Sequence, residues 1–175
     1  MEKVRIVVSD TNILIDLIRL EHLDVLFKLR WEVITTDLVI NEISEDSQKI
    51  IIGEYVKKGA LKVKVFTSIE MLDLTSYYLS ISDSTNLTLQ DCSVLRYSKE
   101  KNAVLLSGDK KLKAKAENDH ITVRGIIYLF DEAVEQNILQ KDEAANILED
   151  LLMLNNRLPK SEIQQRISQW RKETI

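Results

Sequence analysis

Five short runs of β-branched and apolar residues, each followed by at least one stretch of helical periodicity, constrain the fold of this chain more than any other feature. They are VRIVVS (Val4 to Ser9), EVIT (Glu32 to Thr35), LKVKVF (Leu61 to Phe66), AVLLS (Ala103 to Ser107) and ITVR (Ile121 to Arg124). The first and fourth have the near-continuous apolar character of a strand buried on both faces of a parallel sheet, whereas the alternation in LKVKVF marks a half-exposed strand at or near an edge. Between them the spacing predicts helices over residues 12–20, 22–29, 37–43, 50–58, 69–80, 87–99, 110–118 and 126–137. Gly59 stops the fourth of these, and the polar stretch Ser82 to Asn86 reads as a connection. Strands alternating with helices in this way call for a three-layer α/β/α sandwich around a mostly parallel sheet.

Residues 1–130 are expected to form that domain, and 131–175 a C-terminal helical extension packed on it. The extension contains two amphipathic stretches, 141–154 and 160–172, whose apolar stripes suit the core better than an outside partner. Pro159 reads as a first-turn residue of the last helix. A length of 175 residues fits one hydrophobic core, and 45% hydrophobic with 30% charged residues, four glycines and one proline exclude a disordered chain. No apolar run approaches the roughly 20 residues of a membrane span, and Met1-Glu2-Lys3-Val4-Arg5 does not resemble a signal peptide, so a cytoplasmic protein is expected.

The charge of −4 argues against gripping duplex nucleic acid by a large basic surface. Cys92 is the only cysteine, which leaves no internal disulfide and too few thiolates for a zinc site; it reads as a small buried hydrophobe. His22 and His120 are too few and too far apart for a histidine metal site or a triad.

The informative residues are acids. Asp10 stands directly after the first buried run and Asp109 one glycine beyond AVLLS, so both carboxylates should emerge at the carboxyl ends of parallel strands, where open α/β sheets bind ligands. Glu42 and Asp91 fall on helices among apolar neighbours, where a carboxylate is costly unless something cationic satisfies it. Each has an ordinary explanation alone: Asp10 and Asp109 as helix N-caps, Glu42 as a solvated helix residue, Asp91 as a first-turn acid favouring the macrodipole. Together, four acids on one edge repel one another, and a divalent cation resolves the conflict. Carboxylates without cysteine or histidine are the ligand set of Mg²⁺ or Mn²⁺, and the chemistry such a site suits is phosphodiester hydrolysis.

Four motifs carry a family resemblance: VVSDTNILIDL (Val7 to Leu17), TTDLVINEI (Thr35 to Ile43), LTLQDCSVL (Leu87 to Leu95) and AVLLSGDKKLKAKAE (Ala103 to Glu117). In this order they resemble the PIN-domain nucleases, whose members include VapC-like toxins of toxin–antitoxin pairs, over about residues 4 to 130. VRGIIYLFDE (Val123 to Glu132), with the helices and Arg157-Leu158-Pro159 after it, is similar to a longer PIN subgroup with a C-terminal helical addition. The resemblance implies that Asp10, Glu42, Asp91 and Asp109 are catalytic and bind the metal, with Asn12 and Ser107 as polar neighbours. Many members carry a further acid where this chain has Lys110, Lys111 and Lys113, a departure that favours one metal over two.

The expected function is a Mg²⁺- or Mn²⁺-dependent endoribonuclease, with Lys110 and Lys111, followed by Lys113 and Lys115, placed to hold RNA phosphates. A small antitoxin and a homodimer are what a toxin role would add. Two rivals stand beside it. A catalytically silent PIN-like module would bind RNA or protein without cutting, and a haloacid-dehalogenase-like phosphatase would need an acid where Asn12 stands.

Overall fold

The computed structural model describes residues 5–155 and 157–173. Its five strands, β1 (Arg5–Ser9), β2 (Trp31–Thr36), β3 (Leu61–Lys64), β4 (Val104–Leu106) and β5 (Val123–Arg124), form one all-parallel sheet in the order β3-β2-β1-β4-β5. Val4, expected to open β1, lies outside the described residues. Helices cover both faces, as the expected three-layer α/β/α arrangement requires. This double coverage explains the apolar runs: Val7, Val8 and Leu105 are fully buried at the centre of the sheet. LKVKVF does lie at an edge, as β3, with Lys62 and Lys64 paired to Glu32 and Glu70. Charged side chains there discourage another strand from docking.

Connections set the position of the site. From β1 the chain runs through α1 (Thr11–Arg19) and α2 (Leu23–Lys28) to β2, then through α3 (Asp37–Glu42) and α4 (Asp46–Lys57) to the edge. It returns across β1 by α5 (Ser68–Thr85) and α6 (Leu89–Lys101) to place β4 on the other side of β1, and α7 (Lys110–Asn118) leads to β5. Right-handed crossovers put such sets of connections on opposite faces, and the strand order reverses between β1 and β4, whose carboxyl ends are where open α/β sheets bind ligands. Helices antiparallel to the strands they join begin at this same edge, and the first turns of α1, α6 and α7 meet there.

One expected connection is helical. Residues Ser82 to Asn86 were to join two helices, but α5 runs on to Thr85 and ends with Asn86 in the left-handed conformation at φ 53°. The Ser84 and Thr85 hydroxyls donate back to the Ile81 carbonyl at 2.9 and 2.8 Å, so these polar side chains are satisfied within the helix instead of breaking it.

The C-terminal segment is α8 (Ile126–Glu135), α9 (Lys141–Leu154) and α10 (Lys160–Glu173). α10 buries Ile163, Ile167 and Trp170 as it packs along α9, which buries Ala144, Ala145, Leu148 and Leu151. The apolar stripes therefore finish the core. α9 is latched to α1 by Asn155, whose Nδ2 donates to both oxygens of buried Asp16 at 3.1 and 2.9 Å. Pro159 sits just before α10 rather than in its first turn; its carbonyl accepts from Ile163 N–H at 3.1 Å and starts the helical ladder. Asn156, in the expected connection between these helices, lies outside the described residues. Among the described residues no helix is long and apolar enough to cross a membrane.

Candidate functional site

Asp10 is the deepest of the candidate acids, 3% exposed at the end of β1. Its Oδ1 caps α1 by accepting from Thr11 N–H at 2.7 Å. Its Oδ2 accepts from the buried Ser107 hydroxyl at 2.8 Å and, at 3.4 Å, from Asn12 Nδ2. Ser107 continues the chain of contacts, since its Oγ accepts from Asp109 N–H at 3.0 Å. Asp109 in turn caps α7: its Oδ1 accepts from the N–H groups of Lys111 and Leu112, both at 2.8 Å. One serine thus ties the turn after β4 to the end of β1.

Asp91 occupies the third position of α6 in a reciprocal capping box. Thr88 donates to Asp91 Oδ2 from its N–H at 2.7 Å and its hydroxyl at 2.8 Å, while Asp91 N–H donates to Thr88 Oγ1. Glu42 closes α3 and receives the Thr11 hydroxyl at 2.5 Å. It is exposed, contrary to the expectation of an apolar setting; burial costs bear on Asp10 and the half-buried Asp91 instead. Its neighbours Ile40 and Ile43 point into the core while Glu42 does not.

Electrostatics join the four. Burial pushes the Asp10 carboxyl up to about 6; the Ser107 bond opposes this, and the charges of Asp91 and Glu42 add to it. Asp91 is also raised, first by burial, against the Thr88 bonds, with Asp109 and Glu42 as the like charges. Four carboxylates therefore share one field. None of them forms an ion pair among the described residues. Nor do three of them converge on one point at ligating distance there. Asp10 feels the charges of Asp91 and Glu42, and Asp91 those of Asp109 and Glu42. Glu42 Oε1, Asp91 Oδ1 and Asp109 Oδ2 accept no hydrogen bond among the described residues. Carboxylate oxygens left without a hydrogen bond or ion pair among the described residues fit a hard divalent ion by donor chemistry.

The capping and cluster readings of these acids turn out to be compatible. Asp10, Asp91 and Asp109 each spend one oxygen on backbone N–H groups, and this fixes the direction of the other.

Of the lysines, Lys110 and Lys111 are exposed at the start of α7. Lys115, expected to flank the site, is held by Asp119 at 2.6 Å and lies over the Tyr77 ring. Sequence reasoning passed over Thr11 and Thr88, which hold Glu42 and Asp91, and a buried polar layer below them. There Thr35 donates to the Ser9 carbonyl at 2.8 Å and Thr36 bonds Ser93 at 2.7 Å. The available signal was the Thr35-Thr36 pair ending an otherwise apolar strand.

Comparison with known proteins adds the family. No functionally curated protein matches the sequence. The crystal structure of PAE2754 from Pyrobaculum aerophilum superposes with a TM-score of 0.51 at 19% identity, covering 75% of this chain and 99% of that one. At this identity the likeness speaks for the fold alone. A family model described as PIN domain matches residues 6–172, nearly the whole chain, and the protein therefore belongs to the PIN-domain family.

Proposed function

We propose that the protein is an endoribonuclease whose Asp10, Glu42, Asp91 and Asp109 hold Mg²⁺ or Mn²⁺. The observation that carries this is the mutual field of four carboxylates, none of them in an ion pair among the described residues, at the switch point of a PIN-type sheet. A bound divalent ion would stabilise charge on the phosphate and the leaving oxygen and make water a better nucleophile. The chain's own part is orientation. Ser107 fixes Asp10 Oδ2 relative to Asp109, the Thr88 box fixes Asp91, and Thr11 holds Glu42. Asn12 Nδ2 lies beside Asp10 and is placed to orient water or a phosphate oxygen. Lys110 and Lys111 meet the phosphates on either side of the scissile bond.

Within this reading the protein acts in the cytoplasm as the toxin of a pair, and a small antitoxin covers the acidic crevice. A homodimer is supported by Ile69, Leu72 and Leu79 on α5, which are 66 to 80% exposed along one side of the helix. Labelled single-stranded RNA incubated with the protein and Mn²⁺ should be cut by the parent and not by Asp10→Asn. Mn²⁺ should also raise the melting temperature of the parent. Intact RNA together with an unmoved melting temperature would leave the silent PIN-like module as the correct reading.

A further inference from the structure

A cavity of about 520 Å³ opens beside the acidic crevice. Its near wall is Ser107 and Gly108, and the Ser107 hydroxyl bonds Asp10, so the cavity adjoins the acids through this one residue. Its far walls come from α8 and α10. We propose that this cavity is a subsite for the nucleotide next to the scissile phosphate, and that it admits a single RNA strand and not a duplex. The proposal rests on the nuclease reading for its direction but not for its test.

Three features support it. The first is charge. In a chain of net −4, the walls carry Lys110, Lys113, Arg157 and Arg166 against Asp131 and Glu162. Arg166 is neutralised by Asp131 at 3.0 Å. Lys110 and Arg157 have no ion-pair partner among the described residues, and Lys113 has only Glu117 at 4.0 Å. This excess of cations suits a phosphate, which a guanidinium can grip with two parallel N–H bonds.

The second is surface type. Half-buried Ile127 and Leu158 line the same space, giving an apolar wall beside the cations. An anionic backbone carrying a planar, weakly polar base presents this combination, whereas an acidic peptide presents only the charge. The third is size. A volume of about 520 Å³ lies within the roughly 300–1,000 Å³ of clefts that enclose one small ligand. One splayed-out nucleotide fits such a space, and sequence-tolerant or specific reading of RNA proceeds through single-stranded, unstacked bases of that kind. Because α10 and the turn before it supply Arg157, Leu158 and Glu162, the C-terminal helices become part of the substrate path.

The test separates binding from cutting. Fluorescence anisotropy of a labelled single-stranded RNA octamer, measured in EDTA on the Asp10→Asn background, reads binding without cleavage. Arg157→Gln and Lys113→Gln should each weaken binding by about 3- to 10-fold and reduce the slope of log affinity against log salt by roughly 0.7, the loss of one phosphate contact on a single strand. Arg157→Lys should recover most of the slope. Lys101→Glu, exposed before β4 at the opposite end of the sheet, should change neither. Duplex RNA of the same sequence should bind at least tenfold more weakly. In the cleaving parent with Mn²⁺, Arg157→Gln should raise KM and leave kcat nearly unchanged. The subsite is overturned if the two glutamine variants bind as the parent does, if the duplex binds as well as the single strand, or if a hexaglutamate peptide competes as effectively as unlabelled RNA. Loss of the nuclease reading alone would appear as binding that follows this pattern with no cleavage in Mn²⁺.

Discussion

Replacing Asp10 by asparagine should make the metal-free protein more stable while abolishing its activity. The carboxyl of Asp10 ordinarily titrates at 3.8 and is pushed up to about 6 in the fold, chiefly by burial. At about 1.4 kcal/mol per pH unit, that rise corresponds to roughly 3 kcal/mol of cost for holding the ionised form. Because the folded-state value is the higher one, the cost is absent below pH 3.8, grows as pH rises, and is complete above about 6.

Asparagine removes the charge and keeps most of the bonding. Its Oδ1 still accepts from Thr11 N–H, and its amide donates to Ser107 Oγ, which already accepts Asp109 N–H and has a second lone pair. What is lost is the long contact from Asn12 and the acceptor for the Ser107 hydroxyl, together on the order of 1–2 kcal/mol. The balance is a gain of about 1–2 kcal/mol at pH 8 in EDTA, or roughly 3–6 °C in Tm for a domain of this size. Urea unfolding from pH 4 to 8 in EDTA measures it, and the gain should shrink to nothing or reverse at pH 4. Added Mn²⁺ should then stabilise the parent and not the variant. A variant that is no more stable than the parent at pH 8, or whose difference is the same at pH 4 and pH 8, would refute the idea that this site stores electrostatic strain.

Other consequences concern the fold around the site. Asn155→Ala should destabilise by about 1–3 kcal/mol, because buried Asp16 loses both hydrogen bonds. Burial already raises the Asp16 carboxyl and the Asn155 bonds oppose that rise, so the loss should be larger at pH 8 than at pH 4; equal losses would count against it. Cys92 is fully buried and its thiol is pushed up to about 11 by burial. It should resist iodoacetamide at pH 8 and react at the rate of global unfolding, and rapid labelling of the native protein would contradict its placement in the core. The Glu70 carboxyl is held down at about 2 by Lys64 and the Thr67 capping box. A depressed value stabilises above the ordinary 4.5 and is lost as pH falls toward 2. Glu70→Gln should therefore be less stable than the parent at pH 7, with the gap closing across that acid window in thermal melts.

The parts of this molecule that were legible in its sequence are those where one physical rule acts locally. A parallel strand covered on both faces must be apolar on both, so VRIVVS and AVLLS identify the centre of the sheet, and the alternation in LKVKVF identifies its edge. The residues after β1 and β4 then have to meet, because topology brings those strands side by side. Where several rules compete, the sequence is a weaker guide. Polar Ser82 to Thr85 looked like a connection because hydroxyls favour turns, yet the same hydroxyls bond backward to carbonyls and let the helix persist. Glu42 looked buried because its neighbours are apolar, but at the last turn of a six-residue helix its own direction is set by the helix phase and not by their composition. The same competition shapes the site itself. Asp10, Asp91 and Asp109 look ambiguous in sequence because a helix cap and a metal ligand ask for the same residue after the same strand. In the fold the capping demand takes only one oxygen of each, since backbone N–H groups at a helix start bond that oxygen and leave the other available for the proposed ion. Rigid capping is what holds these like charges together, and under the proposed function the unfavourable field that results would favour the binding of a divalent cation.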